Sequence, residues 1–316
     1  SESYERKNTN DIVRPDGSTT FFITSGIQHF ENILFNGEIP NEGPSFFVQP
    51  VIRTNYRDSV GEGRVSSFVN LSTVRFNCSL DQYIEDLDGW MDSLSKLGLY
   101  MGDFIFKLKH RKVDLESDNF WRKNEGLGVS CSYGGLGLGD ASYHSLTGQE
   151  DKPFEDIGFG LERIVWARNK NPTFVEVVGV FPYAFLQNIL EIDTLRTISL
   201  MVASGINEGG DADNQFKKYL SQLDASVVGV EHQVRAYYLY WKQFVTPKRT
   251  LDETQAYSLK RINQVRNINL LRLLGIEKIP KKLRNYIFDN QDFFIRRLIR
   301  HDPSNLNKLR GLYQKG

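Results

Sequence analysis

The chain has 316 residues, of which 40% are hydrophobic and 12% aromatic, enough for one large folded domain or two ordinary ones. No run of 18 apolar residues occurs and the N-terminus reads SESYERKNTND, so neither a membrane span nor a secretory signal is expected. Two cysteines, Cys78 and Cys131, and five scattered histidines supply neither a disulfide framework nor a metal site, which points to a reducing, cytoplasmic setting.

Taken in order, the first half reads as strands. TTFFIT (19–24), SFFVQPVIRT (45–54), SSFVNLSTVRFN (66–77) and DFIFKLKH (103–110) are rich in β-branched and aromatic residues with partial alternation. The polar, glycine-bearing loop RDSVGEG between the second and third predicts an antiparallel hairpin. A helix is expected over about 80–97, where Leu80, Tyr83, Ile84, Leu87, Trp90, Met91, Leu94 and Leu97 fall at helical spacing. Beyond FEDIGFGLERIVWAR (154–168) the pattern is helical, over about 182–204, 213–223, 225–245, 252–274, 281–300 and 303–313. Strands followed by helices predict an α+β fold: an antiparallel sheet flanked by helices over 1–175, then an all-helical domain over 176–316.

The formal net charge is zero, yet it is unevenly placed. From Glu231 to Gly316 there are 18 Lys and Arg against 7 Asp and Glu, a net of +11, leaving −11 for the rest. A basic C-terminal third fits a polyanionic partner, and it fits a solvated helix face equally well.

Two stretches carry chemistry. In FEDIGFGLER, Gly158 and Gly160 stand where a strand gives way to a helix, leaving backbone open to a ligand. Arg163 in the first turn adds a planar fork of donors suited to phosphate oxygens. In FFVQPVIRTNYRDSVGEGRVSSFVNL, a strand-end arginine, Arg53, stands near Phe68 on the return strand, a pairing able to hold a phosphate and stack a purine. Each alone also describes ordinary structure: turn-and-cap chemistry in one case, an edge arginine with a core phenylalanine in the other.

In order along the chain, these segments resemble motifs 2 and 3 of class II aminoacyl-tRNA synthetases, most closely the catalytic portion of the alanyl-tRNA synthetases. TTFFITSGIQHF is similar to that family's TLLFTNAGMxxF, QPVIR to QRCVR, SDNFW to xDNFW and DIGFGLERI to DTGMGLERI. VEHQVRAYYLYWKQFVTPKRTLDETQAYSLKRI resembles its helical acceptor-stem-binding region. The resemblance implies an amino acid carboxylate attacking the α-phosphorus of ATP, with Mg2+ bridging the phosphates. It implies that Arg53 binds the α-phosphate and carboxylate, Arg163 the γ-phosphate, and that Phe68 stacks on adenine. Gly158 and Gly160 then give clearance, Asp156 pairs with the substrate ammonium, and Trp121, Asp140 and Ser142 line the amino acid pocket, for alanine or another small amino acid. Arg235, Asp252, Lys260 and Arg261 fall in the tRNA-contacting region.

The departures are informative. Val65 and Ser66 replace two histidines, Asn70 replaces the motif 2 glutamate, Asp140 replaces an asparagine and Ser142 a valine. Asp252 stands where the family reads the acceptor stem with asparagine, and Gln255 replaces an arginine. The expectation is a stand-alone paralogue without the editing domain, loading tRNA. Two alternatives stay open: delivery of the activated amino acid to a carrier protein, peptide or small molecule, and a catalytically silent RNA-binding or regulatory paralogue.

Overall fold

A computed structural model describes residues 4–7, 11–13, 22–61, 63–111, 125–179, 188–206, 210–223 and 229–273. Trp121, the expected helices over 281–300 and 303–313, and most of the expected first strand lie outside these residues. The chain divides into two compact units, one within Ser1–Phe185 plus Tyr240–Thr246, the other within Leu186–Leu239 and Pro247–Gly316.

The first unit is built on a seven-stranded sheet in the order β1-β2-β3-β7-β6-β5-β4. The strands are β1 (Glu5–Lys7), β2 (Ser45–Ile52), β3 (Ser67–Phe76), β4 (Phe104–Arg111), β5 (Glu125–Tyr133), β6 (Leu136–Leu146) and β7 (Gln149–Gly160). β2 and β3 form the expected antiparallel hairpin, with Val51 opposite Phe68. β1 pairs parallel with β2, and every other pairing is antiparallel, so the sheet is mixed and the fold is α+β.

Side chains alternate across the pleat, so the registers sort them onto two faces. One face carries Leu71, Thr73, Ala141, Ile157 and Phe159 and packs under α2 (Leu80–Lys96). α2 begins with a capping box in which Ser79 accepts from the Gln82 amide and the Gln82 side chain accepts from the Ser79 amide. Tyr83, Leu87, Trp90, Met91 and Leu94 form its apolar stripe, and Arg75 on β3 clasps Asp86 with two bonds of 2.7 and 3.1 Å. Cys78 and Cys131 are free buried thiols, pushed up to about 12 and about 11 chiefly by burial.

The other face is covered only in part. The turn Gly26–Phe30 and the short α1 (Glu31–Phe35) lay Ile27, Phe30 and Leu34 over Phe47, Val74, Phe76 and Phe154. The remainder of that face presents Phe68, Asn70, Asp140, Ser142, Asp156, Gly158 and Gly160. β7 runs directly into α3 (Leu161–Asn169) at Gly160, the strand-to-helix junction anticipated from the glycines. α4 is a single turn, Val175–Val178.

Helices α5 (Ile189–Ala203), α6 (Gly210–Leu220), α7 (Val230–Trp241) and α8 (Leu251–Leu273) follow, the last residues of α7 counting with the first unit. Within the second unit Asp213 of α6 holds Arg261 of α8 at 2.8 Å, both nearly fully buried. No helix among the described residues is long and apolar enough to cross a membrane.

Candidate active site

The open half of the sheet face is built from the ends of its central strands. β2 ends at Ile52, opposite Ser67, and the Arg53 amide donates to Ser66 O at 2.8 Å, so Arg53 leaves the ladder at the lip of the hairpin. Its guanidinium donates from Nε and Nη2 to Thr24 O at 3.3 and 3.1 Å and from Nη1 to the Tyr56 hydroxyl at 3.1 Å. The same group lies 4.9 Å above the Phe68 ring, a cation–π contact that fixes it over the sheet.

Arg163 reaches the same region from α3. Its Nε donates to Gly63 O at 2.7 Å and its Nη1 to Gly137 O at 2.9 Å. Burial pulls its pKa below the usual arginine value, and the positive charges of Arg53 and Arg64 pull the same way, so the three guanidiniums feel one another. Arg64 stacks 5.3 Å from the Tyr56 ring. A narrow cavity beside Arg163 is lined by Gly63, Val65, Phe68, Gly160, Glu162 and Phe174. Like charges gathered at a partly buried site repel until an anion joins them, and three guanidiniums offer many more donors than the local carbonyls use.

The glycines make the clearance the sequence suggested. A Cβ on Gly160 would touch the Phe68 ring and the Arg163 side chain at 3.7–3.8 Å, filling the space between them. A Cβ on Gly158 would meet the Asn70 amide at 3.2 Å. Glu162, 3% exposed, anchors this junction by accepting the Val69 N–H at 3.0 Å and the Tyr240 hydroxyl at 2.8 Å, which ties the start of α3 to β3 beside Phe68.

Asp156 sits one residue pair along from Gly158, opposite Ser142 on β6. Burial pushes its carboxyl up to about 7, Asp140 adds to the rise and Arg53 opposes it. Its Oδ1 is shut off from solvent with no hydrogen-bond partner, and the Asn70 Nδ2 and Ser72 Oγ nearby are also buried without one. Buried polar atoms are normally paired; Ser72 Oγ lies beneath Gly26, whereas Asp156 and Asn70 border the space over Gly158, where a ligand can supply their partners. Asp140, opposite Gly158, is exposed and accepts from Ser130 Oγ at 2.6 Å, which in turn accepts from Lys109 Nζ at 2.8 Å.

Arg53, Phe68, Asp140, Ser142, Asp156, Gly158, Gly160 and Arg163 are thus all placed on or beside one face, while Trp121 lies outside the described residues. Arg235 on α7 and Asp252 and Lys260 on α8 are exposed within the second unit. Arg261 is committed to Asp213 and also donates to the Tyr257 hydroxyl at 3.1 Å, so its donors are engaged inside the helical unit. Sequence reasoning passed over Arg64, Tyr56 and the Lys109–Ser130 pair. For Arg64 a signal existed: a lone arginine at the start of the return strand, directly after the glycine-bearing loop.

No protein-family model and no curated protein matches the chain. Among solved structures it is similar to a pyrrolysyl-tRNA synthetase of Desulfitobacterium hafniense, at 19% identity and a TM-score of 0.32, over 46% of this chain and 47% of that one. The chain therefore spans about half the length of that structure. At that overlap, a functional assignment has to come from this chain's own side chains.

Proposed function

We propose that this protein is a ligase that activates an amino acid with ATP, releasing pyrophosphate and forming an aminoacyl-adenylate. The observation that carries this reading is the gathering of three guanidiniums, Arg53 over Phe68, Arg64 against Tyr56 and Arg163 beside Gly160, with the unpartnered carboxylate oxygen of Asp156 in the field of Arg53. A polyphosphate and an ammonium are the two groups that this arrangement lacks, and ATP with an amino acid brings both.

The chemistry needs no general base, because an amino acid carboxylate is already ionised at neutral pH. What it needs is charge stabilisation and the bringing together of two anions. Arg53, held by Thr24 O and Phe68, is placed to bind the α-phosphate and the attacking carboxylate together. Arg163 takes the γ-phosphate end, and Phe68 offers its ring to adenine. Gly158 and Gly160 let the adenylate lie against β7. Asp156 receives the α-ammonium, which satisfies Oδ1 and favours its ionised form.

Magnesium usually keeps several waters and is held by one or two carboxylates together with substrate phosphates, so a full protein cage is not required. Among the described residues no three His, Cys, Asp or Glu side chains come together, and Asn70 rather than an acid stands beside Gly158. The ion would arrive with ATP as its complex.

The acceptor we infer is the end of a tRNA, met by the basic C-terminal third. One observation favours a second reading, transfer to a carrier protein, peptide or small molecule: of the four residues expected to touch tRNA, Arg261 is buried in an ion pair and Asp252 is an exposed acid. ATP–pyrophosphate exchange with a panel of amino acids tests the activation step, and background exchange throughout would end this reading. Charging of bulk tRNA by the active amino acid then separates the two acceptors.

A further inference from the structure

We propose that the amino acid activated at this site carries a second cationic group on a short side chain, as in 2,4-diaminobutyrate or ornithine. The inference rests on the adenylation reading and deepens it.

Two carboxylates share the open face, Asp156 on β7 and Asp140 on β6. Asp156 lies opposite Ser142 and Asp140 lies opposite Gly158, so the two are diagonal neighbours on adjacent strands. Diagonal neighbours in an antiparallel pair stand about 7–8 Å apart, within reach of the two nitrogens of a short diamino acid bridging between them. Gly158 leaves the corner opposite Asp140 without a side chain, and Ser142 puts only a small hydroxyl at the other corner.

The two acids are not equivalent. Asp156 is half-buried with an orphaned Oδ1, the natural seat for the α-ammonium beside Arg53. Asp140 is exposed and its Oδ1 is held by Ser130, so its orientation is set before substrate arrives. Lys109 spends its bond on Ser130. At Asp156 itself Arg53 opposes and Asp140 adds to the negative field.

A second, independent feature points to a ligand here. Asn70, 4% exposed, has its Nδ2 unpartnered and its amide against the space over Gly158. That donor can meet the substrate carboxylate as it turns toward Arg53. A substrate with an apolar side chain, such as alanine, would answer Asp156 and Asn70 and leave Asp140 facing a methyl group.

ATP–pyrophosphate exchange on the full chain at pH 8, with matched amino acids, reads this directly. The pairs are 2,4-diaminobutyrate against 2-aminobutyrate and ornithine against norvaline, with alanine alongside. A hydrogen bond to a charged group predicts a kcat/KM preference of about tenfold or more for each diamino member. Asp140→Asn brings that ratio close to one, whereas a purely structural role for Asp140 would lower both members of a pair alike. If Asp140→Asn loses exchange entirely, the thermal shifts produced by the same pairs give the ratio instead. Equal or better activation of the neutral members by the unaltered protein overturns the inference and leaves the adenylation reading standing. No exchange with any amino acid removes both.

Discussion

The two faces of the one sheet solve opposite problems. Under α2 the main charge on the sheet is answered: Arg75 meets Asp86 through two bonds, and the Trp90 indole donates to Thr73 Oγ1 at 2.9 Å, while Glu155 Oε2 and the Tyr83 hydroxyl are buried there without a partner. Glu155, fully buried beside them, is pushed up to about 9 by burial and by the neighbouring Asp86, so it enters the core neutral at physiological pH. Over the open part of the other face, Asp156 Oδ1 and Asn70 Nδ2 lack partners, and Arg163 is half-buried near two other arginines. Paired polar atoms on a sheet serve stability. Orphaned ones cost stability, and those bordering an open space are the ones a ligand can complete.

The largest expected effect breaks the covered face. Asp86→Ala takes from Arg75, which is 8% exposed, the two charged bonds that clasp it and leaves it the Tyr4 hydroxyl at 3.5 Å, and is expected to destabilise by about 3 kcal/mol in urea denaturation. A loss below about 1 kcal/mol would mean that the clasp is not structural and that the two faces do not differ as argued. Arg163→Ala does the reverse. Exchange kcat/KM should fall about 10²- to 10³-fold, as for the loss of one fixed donor to a developing charge. Its urea midpoint should move little, because relief of the charge crowding with Arg53 and Arg64 offsets the bonds lost to Gly63 and Gly137.

The pH dependence sharpens the same contrast. Asp156 and Glu155 both have folded-state pKa values above those of the unfolded chain, about 7 and about 9. Stability from such groups is fullest below about pH 4 and is lost as pH rises, through about 7 for Asp156 and about 9 for Glu155. Midpoints measured from pH 5 to 9 should therefore fall in two stages. Asp156→Asn should flatten the lower stage, raise stability at pH 8 by roughly 1–3 kcal/mol, and remove exchange activity. Glu155→Gln should flatten the upper stage and leave exchange intact. If Asp156→Asn lowers stability at pH 8, the carboxylate is already satisfied and is not the ammonium seat.

The fold was legible where one physical signal dominated. β2, β3 and β4 announce themselves through β-branched and aromatic residues, and α2 through the spacing of its apolar stripe. β5 and β6 did not, because EGLGVSCSY and LGLGDASYHSL carry small and glycine residues where one face lies open and has no side chains to bury. β5 and β6 supply Ser130 and Asp140, so the elements hardest to read are those that form the pocket floor. The arginines and glycines of the site were visible because spacing and residue type carried them. The Lys109–Ser130–Asp140 chain was not, since it runs across three strands whose pairing no local pattern shows. Likewise Arg261 read as one more basic residue on a helix, and only the position of Asp213, 48 residues earlier, turns it into a buried pair.

The smallest effect is the most direct comparison, because it uses two neighbouring residues of β3 that point to opposite faces. Thr73 accepts the Trp90 N–H beneath α2, and Thr73→Val keeps the shape but strands that donor. An unsatisfied donor in a half-buried setting costs about 1 kcal/mol or somewhat more, and urea denaturation should show that loss. Ser72, fully buried on the other face, has a hydroxyl with no partner to lose. Ser72→Ala removes one desolvated oxygen and should leave stability unchanged or raise it by some tenths of a kcal/mol, since burial without a bond had been unfavourable. Opposite signs for adjacent hydroxyls in one strand follow if Thr73 answers a donor beneath α2 while Ser72 is packed beneath Gly26 with no partner. Equal losses at both positions would place a partner on Ser72 within the protein itself.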